Sequence, residues 1–488
     1  MAYIGKSPVI GNFVKLDAIS VVNGQAAYTM QNGGSNFTDY ESVNQFLVSL
    51  NGTIQAPTDS FTVSGSTLTF ASNLSTGDVI DFIVVFGNSL SAGVPSDATV
   101  TTAKLADSAV TAAKITDSTI TAAKLASGTV QNQSAFKNII INGDMSIAQR
   151  ATSKSALGTG FNTVDRFETL KNLDAVFTES QSTDVPSGQG FSNSWKIECT
   201  TADASPDADY YLSWRQPIEA QMLKHLKYGT SSAESTTLSF WIKSSKTGTY
   251  VVILRNIDNS RLISQTYTIS SADTWEKKEL TFAGDTSSGF NNDNGEGLRV
   301  QFQLVAGSDY TSGTLQTTWG TYANANSAAG QLNFGDSTSN NLYITGVQFE
   351  VGTAASDFEF LPFDVNLKRC ERYYQKSFAY GTAPADDLQK FEYHSIQPYS
   401  GASMAGLISY YKTEMRTIPT VTVYTSGQGG SSGTGKISWY NGSGWGNASV
   451  SVASNSTEKF FHLNGSSFTS MKLAQFNYEA TAELWWQV

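Results

Sequence analysis

Between residues 100 and 130 the sequence repeats with a period of ten, as VTTAKLADSA, VTAAKITDST and ITAAKLASGT, and closes on Val130. Val100, Val110, Ile120 and Val130 form one apolar series. Leu105, Ile115 and Leu125 form a second, offset by five, with Lys104, Lys114 and Lys124 beside them. Five residues turn an α-helix through roughly 500°, so this spacing spirals around a helix and draws no stripe. A continuous heptad coiled coil is thereby excluded. The repeat fits a helical turn (TAAKL) alternating with an extended, turn-bearing piece (ADSAV). One copy offers two apolar groups per ten residues and cannot build a core alone. Several copies around a common axis bury both series, so the segment reads as a symmetric homo-oligomeric stalk. A disordered Ser/Thr/Ala linker is the alternative.

The repeat sits inside 488 residues, a length that predicts roughly three domains. Residues 1–95 read as strands separated by turns. FLVSLNGTIQAP carries Asn51-Gly52, a hairpin signal because both residues tolerate positive φ. FTVSGSTLTF places Phe61, Val63, Leu68 and Phe70 at period two around a Ser-Gly turn, and GDVIDFIVVFG reads as a closing buried strand. From 136 to about 365, TTLSFWIKSS, YVVILRN, QTYTIS, TWEKKELTF, LRVQFQLV and LYITGVQFEVG are strand-like with turn clusters between them, which predicts an antiparallel sandwich or jelly roll. One helix is expected there, IEAQMLKHLKYG, ending at Gly229. TVTVYTSG, GKISWYNGSGW, EKFFHLNGS and AELWWQV make residues 366–488 a second, smaller β-sandwich.

Charge narrows the function classes. A net charge of -11 with no basic run removes the attraction to phosphates that supplies most nucleic-acid affinity. The most hydrophobic short stretch, DFIVVF, is strand-length, far short of the ~20 apolar residues of a spanning helix, so no membrane insertion is expected. The N-terminal residues show no Sec-type pattern, which predicts synthesis ending in a cytoplasm. Cys199 and Cys370 lack metal-type spacing and read as reduced thiols.

Catalytic patterns fail on context. Gly430 to Lys436 matches phosphate-loop spacing, but Ile437 stands where Ser or Thr would bind magnesium and a strand follows where a helix is needed. Gly429 to Gly433 matches a nucleophile elbow only because the run is rich in Gly and Ser. His225, His394 and His462 are scattered without metal spacing. Asp207, Asp209, Asp293 and Glu296 lie in loop-like segments and are the candidates for a hydrolytic carboxylate pair. Sugar binding demands less: an exposed aromatic face with amides or carboxylates for hydroxyls. Aromatics reach 12%, and Trp439 and Trp445, flanking the turn of ISWYNGSGWGN, are the candidate stacking residues. Trp241 and Trp275 read as packing residues. Trp485 and Trp486, adjacent on a strand, point to opposite sides.

Five stretches together, FKNIIINGDMSIAQRATS, NTVDRFETLKN, TTLSFWIKSSKTGTYVVILRN, SADTWEKKELTFAGDT and YITGVQFEVGTAASDFEFLPFDVNLKRCERYYQKS, resemble tail fibre proteins of marine bacteriophages and related prophages. The T-x-A-K-L decapeptides resemble the shafts of such fibres, and the hairpin-rich N-terminus is similar to their virion-attachment domains. The resemblance implies an all-β, elongated homotrimeric fibre: attachment domain (1–95) docked to a tail adaptor or nozzle protein, trimeric shaft (96–135), jelly roll (136–365) and C-terminal β-sandwich tip (366–488). It implies a virion protein, not an enzyme, whose distal domains bind a host surface polysaccharide or outer-membrane receptor. A glycan-depolymerising tailspike and a secreted bacterial lectin or adhesin are the alternatives. The middle domain is similar to carbohydrate-binding modules in which a structural calcium is often held. The matching positions are Asn142, Asp144 and Glu350, although Met145 replaces the usual aromatic residue and no complete ligand set is present.

Overall fold

The computed structural model describes residues 13–87, 110, 136–387, 392–395, 403–429, 433–466 and 471–484. The decapeptide shaft apart from Val110, the residues Gly430, Ser431 and Ser432, and Trp485 and Trp486 lie outside the described residues. The chain divides into two compact units, 1–125 and 126–488. Among the described residues, no helix is long and apolar enough to cross a membrane.

The first unit contributes β1 (Phe13–Lys15), β2 (Gln25–Thr29), β3 (Gln31–Asn32), β4 (Ser35–Asn36), β5 (Phe46–Leu50), β6 (Thr53–Gln55), β7 (Phe61–Ser64), β8 (Thr67–Leu74) and β9 (Ile80–Phe86). They form a β1-β9-β5-β6 sheet, a β2-β8-β7 sheet and a β3-β4 ribbon. Asn51 and Gly52 take φ of 50° and 72° at the β5–β6 turn, the positive pair that a two-residue hairpin requires. Phe61 faces Phe70 and Val63 faces Leu68 across the β7–β8 ladder, so the period-two reading holds. β9 differs from expectation: Ile80, Ile83 and Val85 are buried while Phe86 is exposed, so the strand buries one side only.

The second unit opens with β10 (Ser153–Lys154), β11 (Glu168–Asn172), β12 (Val176–Ser182), β13 (Ser194–Thr201), β14 (Tyr211–Glu219), β15 (Thr236–Ser244), β16 (Gly248–Asn256), β17 (Arg261–Ile269), β18 (Glu276–Phe282), β19 (Glu296–Ala306), β20 (Gly320–Thr321) and β21 (Asn341–Val351). Two six-stranded antiparallel sheets result, β10-β12-β13-β21-β15-β18 and β11-β14-β19-β16-β17-β20. Most connections cross from one sheet to the other, which makes the unit a jelly-roll sandwich. Its core joins Trp214 to Phe167 and Trp195 by stacking at 4.0 and 4.4 Å, with Phe240, Phe302 and Phe349 around them. The expected helix is a shorter 3-10 turn, Ala220–Leu226, capped by Lys227 at φ 55° rather than by Gly229. Its first residues are tied to the chain just before β19, with Ala220 N–H on the Gly295 carbonyl and Gln221 N–H on the Asp293 carbonyl, each at 2.9 Å.

A helix, Phe363–Glu371, leads into β22 (Tyr374–Lys376), β23 (Glu392–Ser395), β24 (Ser403–Tyr410), β25 (Thr420–Thr425), β26 (Lys436–Tyr440), β27 (Trp445–Val452), β28 (Phe460–Ser466) and β29 (Leu473–Thr481). These strands hydrogen-bond as one eight-stranded sheet centred on β29. Leu407, Val423, Ile437, Phe461 and Tyr478, from well-separated strands, share one core, so the sheet folds over on that core. It packs onto the jelly roll. Glu483 forms a buried ion pair with Arg166, Arg166 lies 3.4 Å over the Tyr373 ring, and Ile141, Ile147, Cys370, Tyr373 and Leu484 form one apolar cluster. Both cysteines are free and buried.

Candidate functional site

Alternation on the middle strands of the second sheet builds a two-sided surface. On β19, Leu298, Val300, Phe302 and Leu304 point into the core, which leaves Arg299, Gln301 and Gln303 on the outer side. On β14, Leu212, Trp214 and Ile218 point inward and Tyr211 and Arg215 outward; on β16, Tyr250, Val252 and Leu254 point inward and Ile253 and Arg255 outward. Register then sets the neighbours. Arg215 lies opposite Gln301, which lies opposite Ile253, and Arg299 lies opposite Arg255.

The segment after β19 covers part of this outer face. Tyr310, Leu315 and Tyr322 pack with Val251, Ile253, Leu262 and Ala328 as a second apolar layer. Between that flap and β11 remains a cleft of about 200 Å³ with Arg215, Arg299, Gln301 and Gln303 on its floor and Tyr211, Tyr310 and Tyr322 along its walls. It falls below the ~300–1,000 Å³ of drug-sized pockets, which suits one sugar ring with its substituents.

Two of the arginines and both glutamines there are held by neighbours. Glu168 accepts from Arg215 Nε at 2.8 Å, and Glu296 accepts from Arg299 Nε and Nη2 at 2.7 and 2.6 Å. Gln301 donates to Gln303 at 2.9 Å, and Gln303 donates to the Val305 carbonyl at 2.6 Å. The Arg255 guanidinium lies 3.9 Å over the Tyr322 ring. Tyr211 and Tyr310 meet edge to face at 5.6 Å. Burial pushes the Tyr310 hydroxyl up to about 12, so it is a neutral donor near neutral pH. Burial pulls Arg215 and Arg255 downward, and the Arg299 charge acts in the same direction on both, yet a guanidinium remains charged. The cleft therefore offers fixed cationic and amide donors between aromatic faces.

The residues singled out in the sequence lie elsewhere. Trp439 pairs with Gly446 and Trp445 with Tyr440 on the β26–β27 hairpin, so the two indoles emerge on opposite faces and cannot form one platform. Trp439 packs on the C-terminal core; Trp445 lies against Tyr440 at 5.2 Å between ring centres. Trp241 is half-buried, and Trp275 packs edge-on to Tyr343 with its indole N–H on Asp184 at 3.1 Å. Asn142 spends its amide on the Ile147 and Asp165 carbonyls. Asp144 accepts from Ser146 and Asn366, and burial raises its pKa. Glu350 accepts from Gln348 and Ser356. Asn142 and Asp144 do line a common cavity, of about 10 Å³, but Arg369 lines it too. It holds no more than one water, and among the described residues no three His, Cys, Asp or Glu side chains come together as a cation site. The calcium expectation therefore finds a donor set already hydrogen-bonded within the protein.

Asp207 and Asp209 precede the start of β14, whereas Asp293 and Glu296 sit at its other end, since Tyr211 pairs with Ala306 and Glu219 with Glu296. Nine residues of strand separate the two sets by ~30 Å, so no acid of one set can pair with one of the other at the about 5–10 Å a glycosidase requires. His462 bonds Asn455 and, among the described residues, joins no group of three potential metal ligands. The cleft itself escaped the sequence reading, although a signal was present: LRVQFQLV carries Arg299, Gln301 and Gln303 on the alternate positions of an otherwise apolar strand, and YVVILRN carries Arg255 after an apolar run.

No protein-family model and no curated protein matches the chain. Among solved structures, the chain is similar to the enzymatically active domain of bacteriophage CBA120 tailspike protein 4, at 15% identity and TM-score 0.26 over 45% of this chain and 22% of that one. It is also similar to a family 11 carbohydrate-binding module from Clostridium thermocellum in complex with a mixed-linked tetrasaccharide, at 12% identity and TM-score 0.22 over 42% of this chain and 98% of that one. A third is TmCBM61 in complex with β-1,4-galactotriose, at 8% identity and TM-score 0.23 over 44% and 99%. Likenesses this distant leave the reading of the cleft to its own geometry.

Proposed function

We propose that the chain is a bacteriophage tail fibre protein that binds a host surface glycan without cleaving it, with the outer cleft of the jelly roll as the saccharide site. The observation that carries the binding role is the joining of tyrosine faces to Arg and Gln donors on a rigid sheet. Tyrosine covers the C–H face of a sugar while guanidinium and amide groups take its hydroxyls. Of the loop acids, Glu296 is already engaged by Arg299 Nε and Nη2, which favours a binding rather than a hydrolytic role.

The fibre role rests on the decapeptide repeat and on the order of the resembling stretches. Three copies would share the 96–135 axis, the N-terminal unit would dock a tail adaptor or nozzle protein in the virion, and the distal domains would present three clefts. Weak sites so linked gain avidity that a single site lacks.

Incubating the purified full chain with host surface polysaccharide tests the reading. Retention of the polysaccharide with no release of reducing ends is the expected result. Release of reducing ends would make it a depolymerase instead, and absence of retention would remove the glycan role.

A further inference from the structure

We propose that the saccharide recognised by the jelly-roll cleft carries an anionic group, a carboxylate or a sulfate; this rests on the glycan reading above and narrows its ligand. The sequence spends few cations, 31 Lys and Arg among 488 residues with a net charge of -11. Even so, three arginines, Arg215, Arg299 and Arg255, stand on three adjacent strands and line one cavity.

Two of them are direct cross-strand neighbours, Arg255 on β16 opposite Arg299 on β19. Like charges placed so are destabilising, and folding alone gives no reason to keep them there. Carboxylates do not balance the cluster. Glu168 pairs with Arg215 and Glu296 with Arg299, while among the described residues no carboxylate pairs with Arg255. The Nε of Arg255 is buried without a hydrogen-bond partner, and its guanidinium lies over Tyr322 at the cleft wall. One positive charge is thus left over, half-desolvated and aimed into a space the size of a sugar ring. A carboxylate or sulfate there would accept from Arg255 with charge-assisted, bidentate geometry. It would also relieve the repulsion between Arg255 and Arg299, and Gln301 would remain for a neighbouring hydroxyl.

Binding of the full chain to four oligosaccharides tests this by calorimetry: oligogalacturonate, its carboxyl-reduced neutral form, a sulfated galactan and agarose. At least one anionic member is expected to bind about tenfold or more tightly than its neutral counterpart, and the preferred pair tells carboxylate from sulfate. Arg255→Gln, whose residue has no carboxylate partner to orphan, is expected to lose that preference while keeping the thermal unfolding temperature, and Arg255→Lys to restore part of it. Should the Gln variant unfold, added salt weakening the wild-type interaction with the anionic member alone serves as the independent readout. Equal affinity for anionic and neutral members, or undiminished preference in a folded Arg255→Gln protein, overturns the charge inference while leaving glycan binding standing. Binding to none of the four overturns the glycan reading together with this one.

Discussion

Asp81 shows how a single side chain fastens a turn. Its carboxylate accepts from the Gly52 amide at 2.7 Å and from Ser49 Oγ at 2.8 Å, and the backbone bond first, then the hydroxyl, holds its pKa below the usual aspartate value. Asp78 is lowered likewise by the Ser75 amide and the Asn51 side chain. A carboxyl whose folded pKa is depressed favours the fold fully above its unfolded pKa of about 3.9, and that contribution is lost as pH falls through the folded value. We therefore expect the protection of the Gly52 amide against hydrogen exchange to decline below pH about 4. Asp81→Asn should be less protected at neutral pH and lose less on acidification; an unaltered acid response in that variant would show that Asp81 is not the group responsible. At the same scale, the tryptophans that looked exposed in ISWYNGSGWGN prove to face opposite ways. Spacing by a turn says nothing of which side each residue takes until the hairpin register is known.

Among elements, the segment Asn138–Ile147 is fastened along β21. Ile139 N–H donates to the Phe349 carbonyl and Val347 N–H to the Gly143 carbonyl, each at 2.8–2.9 Å, so the segment runs against β21 without being a strand itself. At Gly143 a Cβ would stand 2.0 Å from the Val347 carbonyl oxygen. Backbone cannot yield as a side chain can, so Gly143→Ala should lower stability by about 2 kcal/mol or more. Calorimetric melting of the variant checks this, and an unchanged melting temperature would mean the segment shifts at little cost. Elements with clean alternation were legible beforehand: β7, β8, β15, β16, β17, β19 and β21 all lie where their apolar periods place them. β14 was not singled out. Its sequence YLSWRQPIE holds Arg215, Gln216 and Pro217, and Pro is expected on edges, yet the strand lies between β11 and β19. Only the partner strands reveal that Arg215 faces a cleft.

For the whole molecule, the jelly roll and the C-terminal sheet belong to one compact unit, 126–488, rather than two independent bodies. Glu219 at the end of β14 accepts from Arg372 Nε and Nη2 at 2.8 and 2.9 Å, and Glu483 meets Arg150 and Arg166. These charges are far apart in sequence and become neighbours only on folding. The proposed assembly is a separate matter. Sedimentation should find the full chain as a trimer and a variant lacking 96–135 as a monomer. A monomeric full chain would overturn the shared-axis account, and a trimeric deletion variant would move the assembly to other surfaces.

The sequence by itself determined the all-β class, the hairpin at Asn51-Gly52 and the strands of the jelly roll, because apolar period and turn chemistry act between residues close along the chain. Only the tertiary structure decided that Arg215, Arg255 and Arg299 share a cleft, that Trp439 and Trp445 do not share a face, and that Asp207 and Asp293 stand at opposite ends of a sheet. Those relations depend on the order and register of strands up to about a hundred residues apart, and local physical chemistry does not encode them.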